Sequence, residues 1–283
     1  MIKKKPIRIA FAMTKGGAGK TTSAAAFATE LAEMGHKVLL VDTDTQSLIR
    51  HALAALDSTY GLFDLADGVP FKEVVYKFAK QPDAPKPRVN LDLVVSQGNL
   101  SLLAKSWGKA EQDVEGQFLD AMEMVEKQTD YDFILIDTSP TEGLINTNVF
   151  YYVHHIICPV ALSSFHVLGL DDFIDIIEKT KVKKAKRKDA ELAIGWILPT
   201  RLHKAKRTSE ILLNKIKKTV AERLPTAKVL DAIPECARTD ECAIFGQSIL
   251  EYDRNSRGGK AYLNAIKEVV NAQKSNRKAA SGK

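Results

Sequence analysis

The sequence predicts an α/β protein with a doubly wound, mostly parallel sheet flanked by helices. Three observations support this class. Short apolar runs alternate with stretches of helical composition from one end of the chain to the other. Several of these runs are apolar at every position, which is typical of strands that are covered on both faces. The first run leads through a glycine-rich loop into a helix, which is the context that a phosphate-binding loop requires.

The apolar runs predict seven strands, and the polar-apolar stretches between them predict helices. The strands are Ile7–Met13, Val38–Asp42, Leu91–Ser96, Phe133–Asp137, Ile156–Val160, Leu192–Leu198 and Val229–Ile233. The helices are Ser23–Met34, Gln117–Lys127, Leu168–Lys179, Thr208–Leu224 and Lys260–Ala272. Residues 81–87 contain three prolines, which cannot lie in a helix interior, so this segment is expected to form a loop that bulges from one domain.

Composition limits the class of protein. The chain has 283 residues, of which 45% are hydrophobic and 27% charged, so a soluble globular protein is expected. No apolar run is long enough to span a membrane, and the residues before the first strand leave no room for a signal peptide. Cys158, Cys236 and Cys242 lack metal-site spacing and are expected to be reduced thiols in the cytoplasm. We expect one domain over residues 1–272 and a basic, disordered tail over residues 273–283.

Residues 13–22, here called the cradle, read Met-Thr-Lys-Gly-Gly-Ala-Gly-Lys-Thr-Thr. Their glycines let the backbone turn tightly, so that successive N–H groups and a helix N-terminus converge on phosphate oxygens. Lys20 is expected to neutralise the β- and γ-phosphates, and the Thr21 hydroxyl is expected to ligate Mg²⁺. Thr22 is placed to donate to the α-phosphate.

Aspartates follow two of the predicted strands. Asp42 and Asp44 follow the second strand, and Asp137 follows four apolar residues in the Walker B form. In doubly wound folds ligands bind at the carboxyl ends of the strands, so Asp137 could hold Mg²⁺ and complete the metal site begun by Thr21. A strand-end aspartate can also simply cap a helix. Three of them beside a phosphate cradle favour the functional interpretation.

The cradle departs from the standard pattern G-x-x-x-x-G-K-[ST], because Thr14 occupies the first glycine position and Lys15 adds a second lysine. The string Lys-Gly-Gly-Ala-Gly-Lys-Thr-Thr resembles the deviant Walker A motif of the ParA/MinD ATPases. Residues 158–170, 194–201, 233–242 and 252–258 resemble further segments of that family, and the last two resemble ParA proteins specifically. The resemblance covers residues 6–272 and implies a ParA/Soj-type partition ATPase with the P-loop NTPase fold.

The resemblance implies roles for individual residues. Lys15 would cross a dimer interface to the partner's nucleotide, Asp44 would position the attacking water, and Asp42 would support the Mg²⁺ shell. Thr200 would lie at the strand end that approaches the base, and Pro234 would open the loop that packs against adenine. The implied catalytic set is Lys15, Lys20 and Asp44, the metal set is Thr21, Asp42 and Asp137, and the set for ATP or ADP is Lys15, Gly16, Gly17, Ala18, Gly19, Lys20, Thr21, Thr22, Thr200 and Pro234.

Two positions depart from the family pattern in loops that respond to the γ-phosphate. Thr45 replaces the proline of the Asp-x-Asp-Pro-Gln segment, and Ser139 replaces the first proline of the Asp-x-Pro-Pro end. Both changes bear on loop stiffness and on the rate of hydrolysis.

Positive charge is concentrated in the C-terminal half of a chain whose net charge is +6. Basic clusters lie at residues 179–188, 204–207 and 215–218 and in the tail. Such runs are usually solvated helix faces, but a dimer that aligned them would neutralise DNA phosphates without reading bases. By resemblance, Arg238 takes the place of an arginine used on DNA, whereas Glu235 stands where many relatives are basic. The candidate DNA-binding residues are Arg238, Lys204, Lys206, Arg207 and Arg257.

The resemblance implies an ATPase that forms a homodimer with ATP and binds double-stranded DNA nonspecifically on the nucleoid. Its weak intrinsic hydrolysis would be stimulated by a ParB-like partner or cargo adaptor, and the cycle would partition plasmids or chromosomes or position cargo. No membrane partner is expected. Three alternatives stay open: a MinD-like membrane-cycling ATPase, which the polar residues 271–283 disfavour, a metabolic enzyme built on the same cradle, and a switch that acts on replication initiation.

Overall fold

The structure is a computed structural model that describes residues 5–78, 88–96, 116–187, 191–203 and 205–281. The strands within these ranges are β1 (Ile7–Phe11), β2 (Val38–Asp42), β3 (Tyr76–Lys77), β4 (Leu91–Val94), β5 (Phe133–Asp137), β6 (His155–Ala161), β7 (Ala193–Thr200) and β8 (Lys228–Val229). They form one sheet in the order β3-β4-β2-β5-β1-β6-β7-β8. All neighbouring strands are parallel except β3 and β4. The predicted doubly wound class is confirmed.

Helices cover both faces of this sheet. They are α1 (Lys20–Glu33), α2 (Leu48–Ala52), α3 (Leu62–Ala66), α4 (Phe71–Val74), α5 (Gln117–Gln128), α6 (Leu144–Tyr152), α7 (Ser164–Lys184), α8 (Arg207–Arg223), α9 (Ala237–Ile244), α10 (Ile249–Tyr252) and α11 (Arg257–Ser281). Successive residues of a strand face opposite cores, as Leu39 and Val41 pack with α5 to α8 while Val38 and Leu40 pack with α1 and α11. The central strands are therefore apolar at every position.

Two predicted segments differ from the structure. The last predicted strand, Val229–Ile233, is regular only at β8, because beyond it Leu230 and Ile233 each donate a single hydrogen bond to β7, with an exposed Asp231 between them. Disorder was expected from residue 273, but α11 continues to Ser281. Residues 273–281 contain no glycine or proline, and Gln273 is buried. The proline-rich residues 81–87 lie outside the described residues.

The central order of the sheet determines where the functional side chains meet. Strands β2, β5 and β1 lie side by side, and their registers pair Asp42 with Asp137 and Asp137 with Phe11. The cradle leaves β1 at this same edge and enters α1. Across the described ranges, no helix is both long and apolar enough to cross a bilayer.

Candidate nucleotide-binding site

The cradle adopts a backbone that depends on glycine. Gly17 has a φ of 73° and Gly19, which caps α1, has a φ of 92°. Both values lie in the left-handed region that other residues rarely adopt. Ala18 between them is buried, and its carbonyl accepts a hydrogen bond from Thr200 Oγ1 at 2.8 Å. The end of β7 therefore holds the middle of the cradle in place.

Lys20 begins α1 and is nearly buried, with 6% of its surface exposed. Its Nζ donates to the carbonyl oxygen of Lys15 at 3.3 Å, so the ammonium lies against its own loop. Burial lowers the pKa of Lys20, and the nearby carboxylates of Asp137 and Asp44 oppose that effect. This arrangement places one cation at the centre of the cradle, close to the strand-end aspartates.

Asp137 and Asp42 are a pair of fully buried carboxyl groups on adjacent strands. Burial raises the pKa of Asp137 to about 7, while the Thr21 hydroxyl and Lys20 act in the opposite direction. Burial and the charge of Asp137 raise the pKa of Asp42 well above its usual range. The Thr21 hydroxyl lies near Asp137. However, neither oxygen of Asp137 accepts a well-aligned hydrogen bond, and the same is true of Oδ2 of Asp42.

Buried carboxylate oxygens without partners are costly, and a divalent cation would compensate them. The residues therefore fit Mg²⁺, which prefers one or two carboxylates together with water and phosphate oxygens. Over the described residues, no group of three or more His, Cys, Asp or Glu side chains is arranged to hold a metal ion. A cation at Asp137 would thus need the Thr21 hydroxyl and ligands from outside the protein.

Asp44 lies at the same edge of the sheet and is 6% exposed. Its backbone N–H donates to Asp42 Oδ1 at 2.9 Å, and its own Oδ1 accepts from the backbone N–H of Gln46 at 3.0 Å. The hydroxyl of Thr43 donates to the carbonyl oxygen of Asp137 at 2.9 Å. These bonds close the loop after β2 around the two carboxylates. Thr45, at the family's proline position, is exposed.

The loop that contains Pro234 is tied to the strand end that holds the cradle. Leu202 and Pro234 form an isolated parallel bridge, and the backbone N–H of Glu235 donates to the carbonyl oxygen of Leu202 at 2.9 Å. Thr200 and Pro234, which the resemblance assigns to the base, thus belong to one connected structure. The intervening Arg201 has a φ of 56°, unusual for a residue with a side chain.

Two residues that make contact with the cradle were not singled out from the sequence. His166 Nε2 lies 2.8 Å from the carbonyl oxygen of Gly16, and Gly169 is buried against the side chain of Lys15. Both belong to α7, which enters from β6. The available signal was the sequence Ser163-Ser164-Phe165-His166, in which a histidine follows three positions after a serine at the start of a helix.

Four of the five candidate DNA-binding residues are described, and all four are exposed: Lys206, Arg207, Arg238 and Arg257. Lys204 lies outside the described residues. Arg238 forms an ion pair with Glu241 at 2.8 Å and lies 3.7 Å from Asp253. An anion that binds Arg238 must therefore compete with these carboxylates.

One lysine of the basic cluster at residues 179–188 does not belong to a solvated face. Lys184 is fully buried, and its Nζ donates to the carbonyl oxygens of Val153 and Glu191, each at 2.7 Å. The ammonium holds the end of α7 against two neighbouring segments. Because it lies in the interior, Lys184 is a structural residue and not part of any DNA-facing stripe.

A glycine-rich loop that runs from the central strand of a doubly wound sheet into a helix defines the P-loop NTPase class, and the second lysine places this loop in its deviant Walker A group. The chain belongs to a family described as an AAA domain, whose model matches residues 7–192.

Relatives extend the match over almost the whole chain. The chromosome partitioning protein ParA of Caulobacter vibrioides is 27% identical over 271 residues, which is 95% of this chain and 96% of that protein. The sporulation initiation inhibitor protein Soj of Bacillus subtilis is 27% identical over 93% of this chain and 97% of that protein. A putative plasmid partition protein from Borrelia burgdorferi, solved with AMPPNP, has a TM-score of 0.72 at 25% identity and covers 95% of this chain. The predicted resemblance to ParA/Soj-type partition ATPases is confirmed.

Proposed function

We propose that this protein is an ATPase that dimerises when it binds ATP and that binds duplex DNA nonspecifically. Its ATP cycle would partition plasmids or chromosomes or position cargo. The observation that carries the proposal is the cradle with its two lysines beside Asp137, a buried carboxylate that accepts no well-aligned hydrogen bond and lies near the Thr21 hydroxyl. The partition proteins among the relatives and the AMPPNP complex of the Borrelia burgdorferi protein support the same nucleotide chemistry.

We assign the following roles to the site residues. The backbone N–H groups of residues 16–22 and the ammonium of Lys20 would receive the phosphates at the positive end of α1. Asp137, Thr21 and Asp42 would hold Mg²⁺, which would neutralise charge that develops on the phosphates. Asp44 has one oxygen engaged by its own loop, and its side chain would orient the attacking water. Thr200 and the Pro234 loop would bound the base.

Dimerisation is proposed to use the face that carries Lys15. Lys15 is exposed, and its side chain lies against Gly169 of α7. Phe165 and Leu168 on the same turns of α7 are 81% and 57% exposed. An exposed aromatic and an exposed leucine beside a lysine form a surface that another protein copy could cover. ATP would favour this contact because each Lys15 would gain a phosphate partner on the opposite subunit.

The proposed DNA interface is a group of helix N-termini that carry cations. Arg207 begins α8, Arg238 lies in the first turn of α9, and Arg257 begins α11. The first turns of α9 and α11 pack together, since a Cβ on Gly258 would lie 3.2 Å from Thr239 Oγ1. Cations and helix N-termini both attract phosphates without reading bases, so the binding should be nonspecific and sensitive to salt.

The test of the switch is DNA binding in different nucleotide states. Binding to random-sequence duplex DNA is measured for the wild-type protein with ATP and with ADP, and for Lys15→Ala with ATP. We expect tight binding only for the wild type with ATP, because only that state would form the dimer. Equal binding in all three samples would contradict the proposed coupling between nucleotide and DNA.

The test of the interface is the salt dependence of binding. A plot of the logarithm of the DNA-binding constant against the logarithm of the salt concentration has a negative slope. Arg238→Ala should make this slope shallower by about 0.9 for each phosphate contact that is lost. ATP binding and dimerisation should not change. Lys267→Ala, which removes an equal charge from an exposed position further along α11, is the matched control and should keep the wild-type slope. If both variants shift the slope equally, overall charge and not Arg238 determines binding.

Hydrolysis is proposed to be slow alone and faster with a ParB-like partner or a cargo adaptor. Ser139 replaces a family proline here, and its carbonyl accepts a hydrogen bond from the Asn146 side chain at 2.9 Å. Phosphate release measured alone and with candidate partners tests this point. A rate that is high alone and indifferent to every partner would refute the regulated cycle.

A further inference from the structure

The start of α7 contacts the cradle through an oriented histidine. Nε2 of His166 lies 2.8 Å from the carbonyl oxygen of Gly16, and Nδ1 lies 2.7 Å from the hydroxyl oxygen of Ser163. A carbonyl oxygen only accepts, so Nε2 must carry a hydrogen. In the neutral ring Nδ1 then accepts from the Ser163 hydroxyl. Both ring nitrogens are therefore satisfied, and the carbonyl group of Gly16, the residue after Lys15, is tied to α7.

Ser163 serves this histidine and not its own helix. It is the N-cap residue of α7, yet its side chain makes no capping hydrogen bond. A serine cap commonly stabilises a helix by about 1 kcal/mol. The hydroxyl that could cap the helix is instead directed at His166 Nδ1 and fixes the orientation of the ring.

Gly169 provides space for the Lys15 side chain one turn further along α7. A Cβ at Gly169 would lie 2.8 Å from Lys15 Cε and 3.2 Å from Lys15 Cγ, whereas ordinary contact begins at 3.4 Å. A glycine inside a helix costs about 1 kcal/mol relative to alanine. The helix itself would therefore be more stable with alanine, but the space is occupied by the Lys15 side chain, and Met13 Cε would lie 3.5 Å from the same Cβ.

Lys15 is thus constrained at three points. Its carbonyl oxygen accepts from Lys20 Nζ at 3.3 Å, its side chain lies on Gly169, and the next carbonyl accepts from His166. Two of the three constraints come from α7 and not from the loop. Lys15 nevertheless stays exposed.

We propose that Ser163, His166 and Gly169, here called the α7 seat, position Lys15 for its action on the partner's nucleotide. This inference rests on the proposed function, in which Lys15 acts across the dimer interface. His166 and Gly169 are positioning residues, because each acts through the cradle and neither is assigned a contact with nucleotide. A displaced Lys15 would leave nucleotide binding by the monomer intact and impair ATP-dependent dimerisation.

The central experiment is a double-mutant cycle of Gly169→Ala and Lys15→Ala in the full chain. The added methyl would displace the Lys15 side chain by about 0.6 Å at Cε, the difference between 3.4 and 2.8 Å, and by about 0.2 Å at Cγ, which lies at 3.2 Å. A misplacement of about 1 Å can cost an enzyme about 10²-fold in rate, and we expect Gly169→Ala to weaken ATP-dependent dimerisation by about tenfold. Adding Gly169→Ala to Lys15→Ala should cause no further loss. Light scattering measures dimerisation.

Two readouts separate positioning from general damage. In Gly169→Ala the affinity for a fluorescent ADP analogue should match wild type, and the melting temperature should not fall below that of wild type, because alanine favours the helix. Gly195→Ala in β7 is the matched control, because its added Cβ would meet nothing closer than His155 Nδ1 at 4.0 Å, and it should dimerise as wild type. Loss of ADP affinity in Gly169→Ala equal to its loss of dimerisation would overturn the proposal.

A second pair of variants tests the histidine by itself. His166→Gln retains an N–H donor near the Nε2 position, whereas His166→Leu removes it at similar size. Dimerisation should stay within about threefold of wild type for Gln and fall about tenfold for Leu, as expected for one hydrogen bond. Equal losses in both variants would overturn the role of the hydrogen bond.

The cycle also separates this inference from the function on which it rests. If Lys15→Ala dimerises with ATP as wild type does, the proposed action of Lys15 is wrong. If Lys15→Ala fails to dimerise but Gly169→Ala and His166→Leu behave as wild type, the proposed function stands and the α7 seat is refuted.

Discussion

Replacing Asp137 with asparagine should stabilise the protein without nucleotide and remove its response to Mg²⁺ and ATP. Asp137 is fully buried, and neither of its carboxylate oxygens accepts a well-aligned hydrogen bond, although the Thr21 hydroxyl lies nearby. Its pKa is raised from 3.8 to about 7. At about 1.4 kcal/mol per pH unit, this rise corresponds to about 4 kcal/mol between the charged and neutral forms. An asparagine side chain resembles the neutral carboxyl, so it should avoid most of that cost.

The pH dependence has a definite sign. The folded-state pKa lies above the unfolded value of 3.8, so the folded protein binds this proton more tightly. The stability contributed by Asp137 is fully present below about pH 4 and is lost as the pH rises through about 7. Asp137→Asn should not show this loss. The free energy of unfolding of Asp137→Asn should exceed that of wild type by about 2 to 4 kcal/mol at pH 8, and this difference should become smaller toward pH 5.

Thermal unfolding in EDTA measures this gain. For a chain of this size about 2 °C corresponds to 1 kcal/mol, so the melting temperature of Asp137→Asn should rise by about 4 to 8 °C at pH 8. Addition of Mg²⁺ and ATP should raise the melting temperature of wild type and leave that of the variant unchanged. Asp67→Asn removes the same charge from an exposed position and is the control. A variant no more stable than wild type at pH 8 would refute the reasoning.

Three further substitutions test the cradle and the fold. Thr200→Val removes the donor to the Ala18 carbonyl, so urea unfolding should show a loss of about 1 to 2 kcal/mol, and unchanged stability would contradict this role. Lys184→Met leaves two buried carbonyls without their donor, so the free energy of unfolding should fall by about 2 kcal/mol while the salt dependence of DNA binding stays as wild type. An altered salt dependence of DNA binding would mean that Lys184 contributes to the DNA interface. Gly19→Ala forces a side chain onto a φ of 92° at a cost of about 1 to 2 kcal/mol, and the fluorescence-measured ADP affinity should fall. Wild-type affinity would mean that the loop conformation is not required.

Patterns that repeat along the chain predicted most of the fold. The fully buried strands appear in the sequence as continuous apolar runs, and β2 and β5 match their predicted bounds. Strand β3 has only two residues, Tyr76 and Lys77, and forms no such run. Arg8 lies inside an apolar strand, and its charge is compensated by Glu126 at 2.7 Å, a residue 118 positions away. No local pattern encodes that pairing.

The candidate site was predictable to the extent that its residues are adjacent in sequence. The cradle and the strand-end aspartates follow recognisable motifs, and the sheet register brings Asp42 beside Asp137. The contact between His166 and Gly16 joins residues 150 positions apart. It depends on how α7 packs against the loop, which composition and periodicity do not describe.

Within the described residues, the outermost strands of the sheet, β3 and β8, have only two residues each. A strand at the edge of a sheet exposes unpaired backbone groups, and a long flat edge is a template for pairing with other chains. Among the described residues, these two outermost strands offer only short ladders for extending the sheet into a neighbouring molecule. When many copies crowd together, they should therefore associate through side chains on the helical faces, and this mode of association is readily reversed.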